Sequence, residues 1–483
     1  MAEATKQSSE SKSVPTINKV DALSPLDGRY RRHTEKLAEI FSERGLIKYR
    51  MIVEGEYFLF LHAKGLGRRR LSSEEESSVR FMCNVTPEAA QIVKDIEVRG
   101  AFGIPATNHD VKAVEYYMAQ NFRSGSLKDT TSMLHIGLTS EDTNNIAYAL
   151  MLREAVGMVL MPAYSDILTK MAELATEHKD LPMLARTHGQ AASPTTFGKE
   201  IAVFRSRLYE QAKQVTGFRI SAKLNGATGN YNAQRLAFPD VDWPGFTREF
   251  IEGHLNGMGC KGGPKLKTNL LTTQIEPHDT YAGLFDGIRR LNTVLIDFNQ
   301  DMWRYISDGW LKLKPVAGEV GSSTMPHKVN PINFETSEGN LGMANAMFEF
   351  FSRKLPISRL QRDLSDSTVE RNFGTALGHS MIGYKELLNG LGKIAVNETA
   401  MRGALEANPQ VLTEAVQTVL RTEGKDDAYE RLKELSRGKE LTLGQIREFV
   451  KELDIPEEKK KTLLELTPST YLGIASRLVN EGT

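Results

Sequence analysis

The chain has 483 residues, too many for one small core, and at the usual domain size this implies two to four domains. Apolar residues make up 40% and charged residues 25%, as in ordinary soluble globular proteins; Lys+Arg and Asp+Glu both number 61, which excludes a general nucleic-acid binder but not a local basic pocket for one phosphate. Two distant cysteines, Cys83 and Cys260, exclude a disulfide framework and any Cys-pair metal spacing, and no apolar run approaches the ~20 residues of a membrane helix.

In chain order, residues 1–20 are polar and Ser/Lys-rich and read as a flexible tail; lacking the apolar core of a secretion signal, they suit a cytoplasmic protein. Residues 21–129 read as an N-terminal helical domain, 130–377 as a central bundle of long helices, and 378–483 as a C-terminal helical domain with short charged helices. The bundle rests on heptad-like stripes. Leu284, Ile288, Leu291, Leu295, Phe298, Met302 and Tyr305 form the longest. Val159, Ala163, Ile167, Met171 and Leu174 form another, with Pro162 expected to kink or start its helix. Phe197, Ile201, Phe204 and Leu208 repeat the pattern, and so do Leu341, Ala344, Met347 and Phe351. Alternating strand patterns are scarce, so the fold class is all-α, and these stripes are plain core without chemistry of their own.

The polar, Gly-rich interruptions carry the chemistry, because loops on a rigid scaffold are where functional groups gather. SPLDGRY holds Arg29 and Tyr30. TNHDVKAVEYY reads as a helix start with Asn108, His109 and Asp110. GLTSEDTNN puts Thr139 and Ser140 before two carboxylates, a helix N-cap pattern whose exposed end also attracts anions. LARTHGQAASPTTFGKE carries His188, of the residue type best suited to proton donation near neutral pH. TTQIEPHD carries Gln274 and Glu276. GEVGSSTMPHKVNPINFE, Gly318 to Glu335, combines a Gly-Ser-Ser turn with Lys328 and Asn330, a cation and an amide suited to a carboxylate. RKLPISRLQRDLSDSTVERN clusters Arg353, Arg359, Arg362 and Arg371 around Ser367 and Thr368, and Arg is the preferred partner of a planar or tetrahedral anion.

The run GSSTMPHKVNP resembles the signature of the fumarase/aspartase superfamily, whose members eliminate fumarate from a substituted succinate, and His327 in its variable slot narrows the likeness to the adenylosuccinate lyase branch. RTHGQ followed by PTTFGKE resembles that family's second signature, and the likeness runs in order from Ser24 to about Leu472. The resemblance implies that Ser322 is the general base taking the Cβ proton and His188 the general acid, oriented by Glu276, with His109 near the phosphate and the catalytic His. It implies that Thr139, Ser140, Lys328 and Asn330 hold the succinyl carboxylates. Arg29, Tyr30, Asn108, Asp110, Gln274, Arg362, Ser367, Thr368 and Arg371 would then serve the rest of the nucleotide. It further implies substrates adenylosuccinate and SAICAR, products fumarate, AMP and AICAR, no metal or redox cofactor, no nucleic-acid or membrane partner, and a homotetramer whose helices form one core and whose active sites draw on three subunits. Argininosuccinate lyase is the alternative within the superfamily; the Arg/Ser segment from Arg353 and the THGQ form favour the nucleotide lyase. A scaffold that has lost activity is the alternative outside it; Ser322, His188, Lys328 and Asn330 standing together argue against that. Two departures stand out. Gly257 to Thr268 is unusually rich in Gly and Lys and reads as a flexible insertion, and Thr336 stands where the family has Asn.

Overall fold

The computed structural model describes residues 18–259, 262–315, 325, 328–436 and 441–482. Most of the expected tail, the Gly-Ser-Ser turn with Ser322, and His327 lie outside the described residues. The chain begins with α1 (Arg31–Phe41), α2 (Glu43–Ala63), α3 (Ser73–Met82), α4 (Pro87–Val98) and α5 (Asp110–Arg123). Next come α6 (Ser140–Glu154) and α7 (Met161–Glu177), then a hairpin of β1 (Pro182–Thr187) and β2 (Gln190–Thr196), then α8 (Phe197–Thr216). Short elements follow: β3 (Arg219–Ala222), α9 (Asn232–Ala237), α10 (Trp243–Arg248) and β4 (Lys265–Thr268). The long α11 (Asp279–Ser307), β5 (Leu311–Leu313), α12 (Ile332–Lys354), α13 (Ser365–Glu370) and α14 (Phe373–Lys393) complete the bundle. Last are β6 (Ile394–Val396), α15 (Glu398–Glu406), α16 (Thr413–Thr422), α17 (Ala428–Ser436), α18 (Leu443–Lys451), α19 (Glu457–Glu465) and α20 (Ala475–Glu481).

The fold is helical, with strands confined to three two-stranded pairs among the described residues. All seven positions of the Leu284–Tyr305 stripe are buried on α11, because a seam repeating every three and four residues stays on one face of a 3.6-residue turn. The Phe197 and Val159 stripes are buried as well; in the Leu341 stripe Met347 is only partly buried and its neighbour Phe348 takes the core position. α12 packs along both α11 and α14, and α8 and α7 join them. Ring contacts set the directions: Phe351 at the end of α12 meets Phe373 at the start of α14 at 5.5 Å, and Phe285 near the start of α11 meets Phe373 at 4.8 Å. At the other end Trp303 Nε1 donates to Glu335 at 3.1 Å. The start of α11 therefore lies beside the end of α12.

α6 and α7 form one helix, Ser140–Glu177, interrupted by a π-turn over Ala155–Leu160. Pro162 follows directly, in the first turn of α7, so its missing N–H falls beside the π-turn rather than within regular α-helix. This helix is long and apolar enough to cross a membrane, which the residue-by-residue reading did not bring out, but 78% of its most apolar window is buried inside the protein, as in a core helix. Separate apolar clusters lie within residues 47–134 and within residues 412–463, beside the main one. The expected division at 377 falls inside α14, whose Leu377, Tyr384 and Leu391 all belong to the main core. Part of the expected flexible insertion is ordered sheet: Lys265–Thr268 pairs in parallel with Arg219–Ala222, and Leu266 is buried.

Candidate active site

Two helix N-termini meet at the centre of the candidate site. His109 is the N-cap of α5, its Nδ1 accepting from the Lys112 N–H at 3.2 Å, and its Nε2 lies 3.3 Å from the Ser140 hydroxyl in the first turn of α6. Thr139 caps α6, and its own N–H donates to Asp142 at 2.9 Å. Asn108 enters this turn with a positive φ of 46°, which Asn tolerates better than most residues. The aligned peptide dipoles and free N–H groups of two such ends make a place for an anion.

Cations surround it. Asp110 bridges the buried Arg50 and Arg371, each at 2.8 Å, and Arg371 also pairs with Glu43 at 2.6 Å. Burial alone would raise the Asp110 carboxyl, but Arg50 and Arg371 outweigh it and hold it at about 2. Arg362 pairs with the buried Glu141 at 2.9 Å. Ser367 and Thr368 sit on α13, and Thr368 lines a largely apolar cavity of about 630 Å³ with Phe350, Lys354 and Asn372. Tyr30 caps α1 with the Arg29 guanidinium 5.7 Å over its ring, and nearby Asp27 and Arg31 share a small cavity with Arg371. Gln274 is tied in from below: its carbonyl accepts from Lys223 Nζ at 2.7 Å, and Lys223, fully buried, pairs with Asp142 at 3.0 Å.

Glu276 closes the same cluster. Its carboxylate accepts from the Asn269 amide at 3.0 Å and the His278 N–H at 2.9 Å. His278 is fully buried in the left-handed region (φ 64°), with its Nε2 3.4 Å from Glu370. Burial would lower this imidazole, but Glu370, Glu276 and Glu141 together raise it to about 9. Burial, then the charge of Glu370, raises the Glu141 carboxyl against the pull of Arg362. Neither His278 nor a second imidazole, His135 at 2.7 Å from Glu54, was singled out in the sequence, since a lone His there has no local pattern to mark it.

His188 is elsewhere. It occupies the turn of the β1–β2 hairpin with Gly189, at φ 53° and 74°, the left-handed pair that a two-residue type I′ hairpin requires. The side chain is exposed. Arg186 on the same hairpin lies 4.0 Å from Asp308, the C-cap of α11, and 5.6 Å over the Trp310 ring. Lys328, exposed, and Asn330 precede α12, whose Glu335 meets Trp303 at this same end. At 1.5 Å per residue the 29-residue α11 is about 43 Å long. One chain therefore brings Arg29, Tyr30, Asn108, His109, Asp110, Thr139, Ser140, Gln274, Glu276, Arg362, Ser367, Thr368 and Arg371 to one end, and His188, Lys328 and Asn330 to the other.

Comparison with known proteins shows which family the chain belongs to. Residues 28–347 match the family model described as lyase, and residues 358–472 match adenylosuccinate lyase C-terminal. An adenylosuccinate lyase of Legionella pneumophila (strain Corby) is 44% identical over 469 residues, which cover 96% of this chain and 99% of that one. The chain belongs to the adenylosuccinate lyase family. The Vibrio cholerae adenylosuccinate lyase is 45% identical over the same shares of both chains. A crystal structure of fumarate lyase from Mesorhizobium sp. BNC1, 18% identical, superposes with a TM-score of 0.69 over 93% of this chain and 97% of that one, which shows the shared fold.

Proposed function

We propose that this enzyme splits fumarate from adenylosuccinate, giving AMP, and from SAICAR, giving AICAR. The observation that carries this reading is the meeting of the α5 and α6 N-termini at His109 and Ser140 within a ring of Arg50, Arg362 and Arg371. A lyase acting on a simple succinate needs to hold two carboxylates; Arg50, Arg362 and Arg371, paired here with Asp110, Glu141 and Glu43, are further donors that a phosphate can recruit.

In the reaction, Thr139, Ser140, Lys328 and Asn330 hold the succinyl carboxylates. Ser322, as alkoxide, removes the Cβ proton; a free Ser hydroxyl is far too weakly acidic, so Lys328 and backbone N–H groups must stabilise the oxyanion. The carbanion is held as an aci-carboxylate, its electrons form the fumarate double bond, and the C–N bond breaks. His188, protonated, gives its proton to the leaving nitrogen. Because His188 and Lys328 stand about 40 Å along α11 from Glu276 and Ser140, each complete site draws on several copies of the chain. The homotetramer with shared sites accounts for this, with Glu276 of one copy orienting His188 of another. The setting is cytoplasmic.

The test is fumarate release followed by absorbance with purified protein, using adenylosuccinate, SAICAR and argininosuccinate in parallel. Turnover of the first two supports the assignment. Turnover of argininosuccinate alone replaces it with the other lyase, and release from none leaves an inactive scaffold.

A further inference from the structure

The buried cluster beneath the nucleotide-binding end has a role of its own. Four carboxylates converge there from three directions: Glu141 from α6, Glu276 from the segment before α11, and Asp366 and Glu370 from α13. Among the described residues two cations pair with them, His278 and Arg362, with the Tyr281 ring packed 5.2 Å from the imidazole. Arg362 is committed to Glu141. His278 is the remaining counter-charge, and its left-handed backbone lets its N–H bind Glu276 while its ring faces Glu370. Glu141 Oε1, Asp366 Oδ2, Glu370 Oε1, Arg362 Nε and both His278 ring nitrogens have no hydrogen-bond partner among the described residues, so the cluster, the His278–Glu370 pair included, is held by charge more than by a closed hydrogen-bond network.

Resting on the reading above, we propose that His278 is a positioning residue for nucleotide binding: it ties α13, which leads into Arg371, to the Gln274–Glu276 segment and the start of α6. Without its positive charge, Glu276, Glu370, Asp366 and Glu141 face one another across the joint with one arginine between them. Like charges at short range in a dry environment repel strongly. α13 then swings away, and it carries Ser367, Thr368 and Arg371 with it.

The experiment compares wild type, His278→Gln, and the double variant His278→Gln/Glu370→Gln, in which two amides replace the ion pair and one repelling charge is gone. AMP affinity is measured by calorimetry, kcat and KM with adenylosuccinate, and thermal stability in parallel. His278→Gln is expected to weaken AMP binding and raise KM by about tenfold or more, with a smaller change in kcat, and the double variant to recover most of the AMP affinity. A folded His278→Gln protein that binds AMP as wild type does, with only its thermal midpoint lowered, overturns the proposal. If His278→Gln does not fold, the double variant decides: near-wild-type AMP affinity is the expected result, and a folded double variant that has lost AMP binding overturns the proposal. If neither folds, the wild type decides: AMP affinity should fall as pH rises through about 9, where the imidazole loses its proton, and a flat profile overturns the idea. A wild type that neither binds AMP nor releases fumarate instead refutes the proposed function and leaves the His278 joint a separate matter.

Discussion

Arg186 Nε lies 4.0 Å from Asp308 Oδ2, and this contact places the His188 hairpin at the C-terminal end of α11, the end remote from Glu276. The C-terminal region braces the hairpin there. Ser193 on β2 donates to Glu414 of α16, which also accepts from the Tyr471 phenol, and Ser476 of α20 donates to Asp180 just before β1. His188 thus sits exposed at the turn of a hairpin tied to the C-terminal region.

Variants at the two proton-transfer groups should lose activity and keep their fold. Ser322→Ala and His188→Ala are each expected to lower kcat by roughly two to four orders of magnitude; the His188 side chain is exposed, so its exchange removes no core volume. Steady-state fumarate release with circular dichroism as the folding control checks this; near-normal turnover in either variant refutes the assignment.

Mixing inactive variants should restore activity. His188→Ala damages one end of α11 and Arg371→Ala the other, so co-refolded mixtures contain some sites built wholly from intact halves. Each variant alone should be nearly inactive and the mixture partly active. A mixture as inactive as its components would show that each site lies within one chain.

Asp110 makes stability pH-dependent at low pH. Its folded carboxyl is held at about 2 against an ordinary 3.8, so its contribution is complete above 3.8 and disappears as pH falls toward 2. Asp110→Asn leaves Arg50 buried with half its partners and should cost about 3 kcal/mol at neutral pH. Urea denaturation across pH 2 to 7 should show the wild-type advantage over this variant shrinking in the acid range. A constant difference would remove the charge pair as its cause.

Lys223 and Asp142 form an ion pair with neither side chain exposed, and Asp142 also accepts from the Asn225 and Gly226 N–H groups. Lys223→Met would leave that carboxylate buried without its cation, at a cost of roughly 3–5 kcal/mol. Loss of soluble protein or a strongly lowered urea midpoint is the expected result, and wild-type stability would show the pair to be dispensable.

The sequence by itself determined the helical class, the seams and the chemistry-bearing segments. Leu284 to Tyr305 had to form a buried stripe because apolar side chains repeating at helical spacing can leave water only on one face. Thr139 and His109 were legible as helix starts for a similarly local reason: capping is settled within four residues. Tertiary structure alone decided which of these segments meet. Nothing within RTHGQ records that its turn docks on the end of α11, about 40 Å from TTQIEPHD, because that depends on Arg186 finding Asp308 more than a hundred residues later. The same holds for His278, whose charge is set by Glu141 and Glu370 from opposite directions in sequence. Local pattern is written by neighbours in the chain, whereas a site's partners and its protonation are written by neighbours in space.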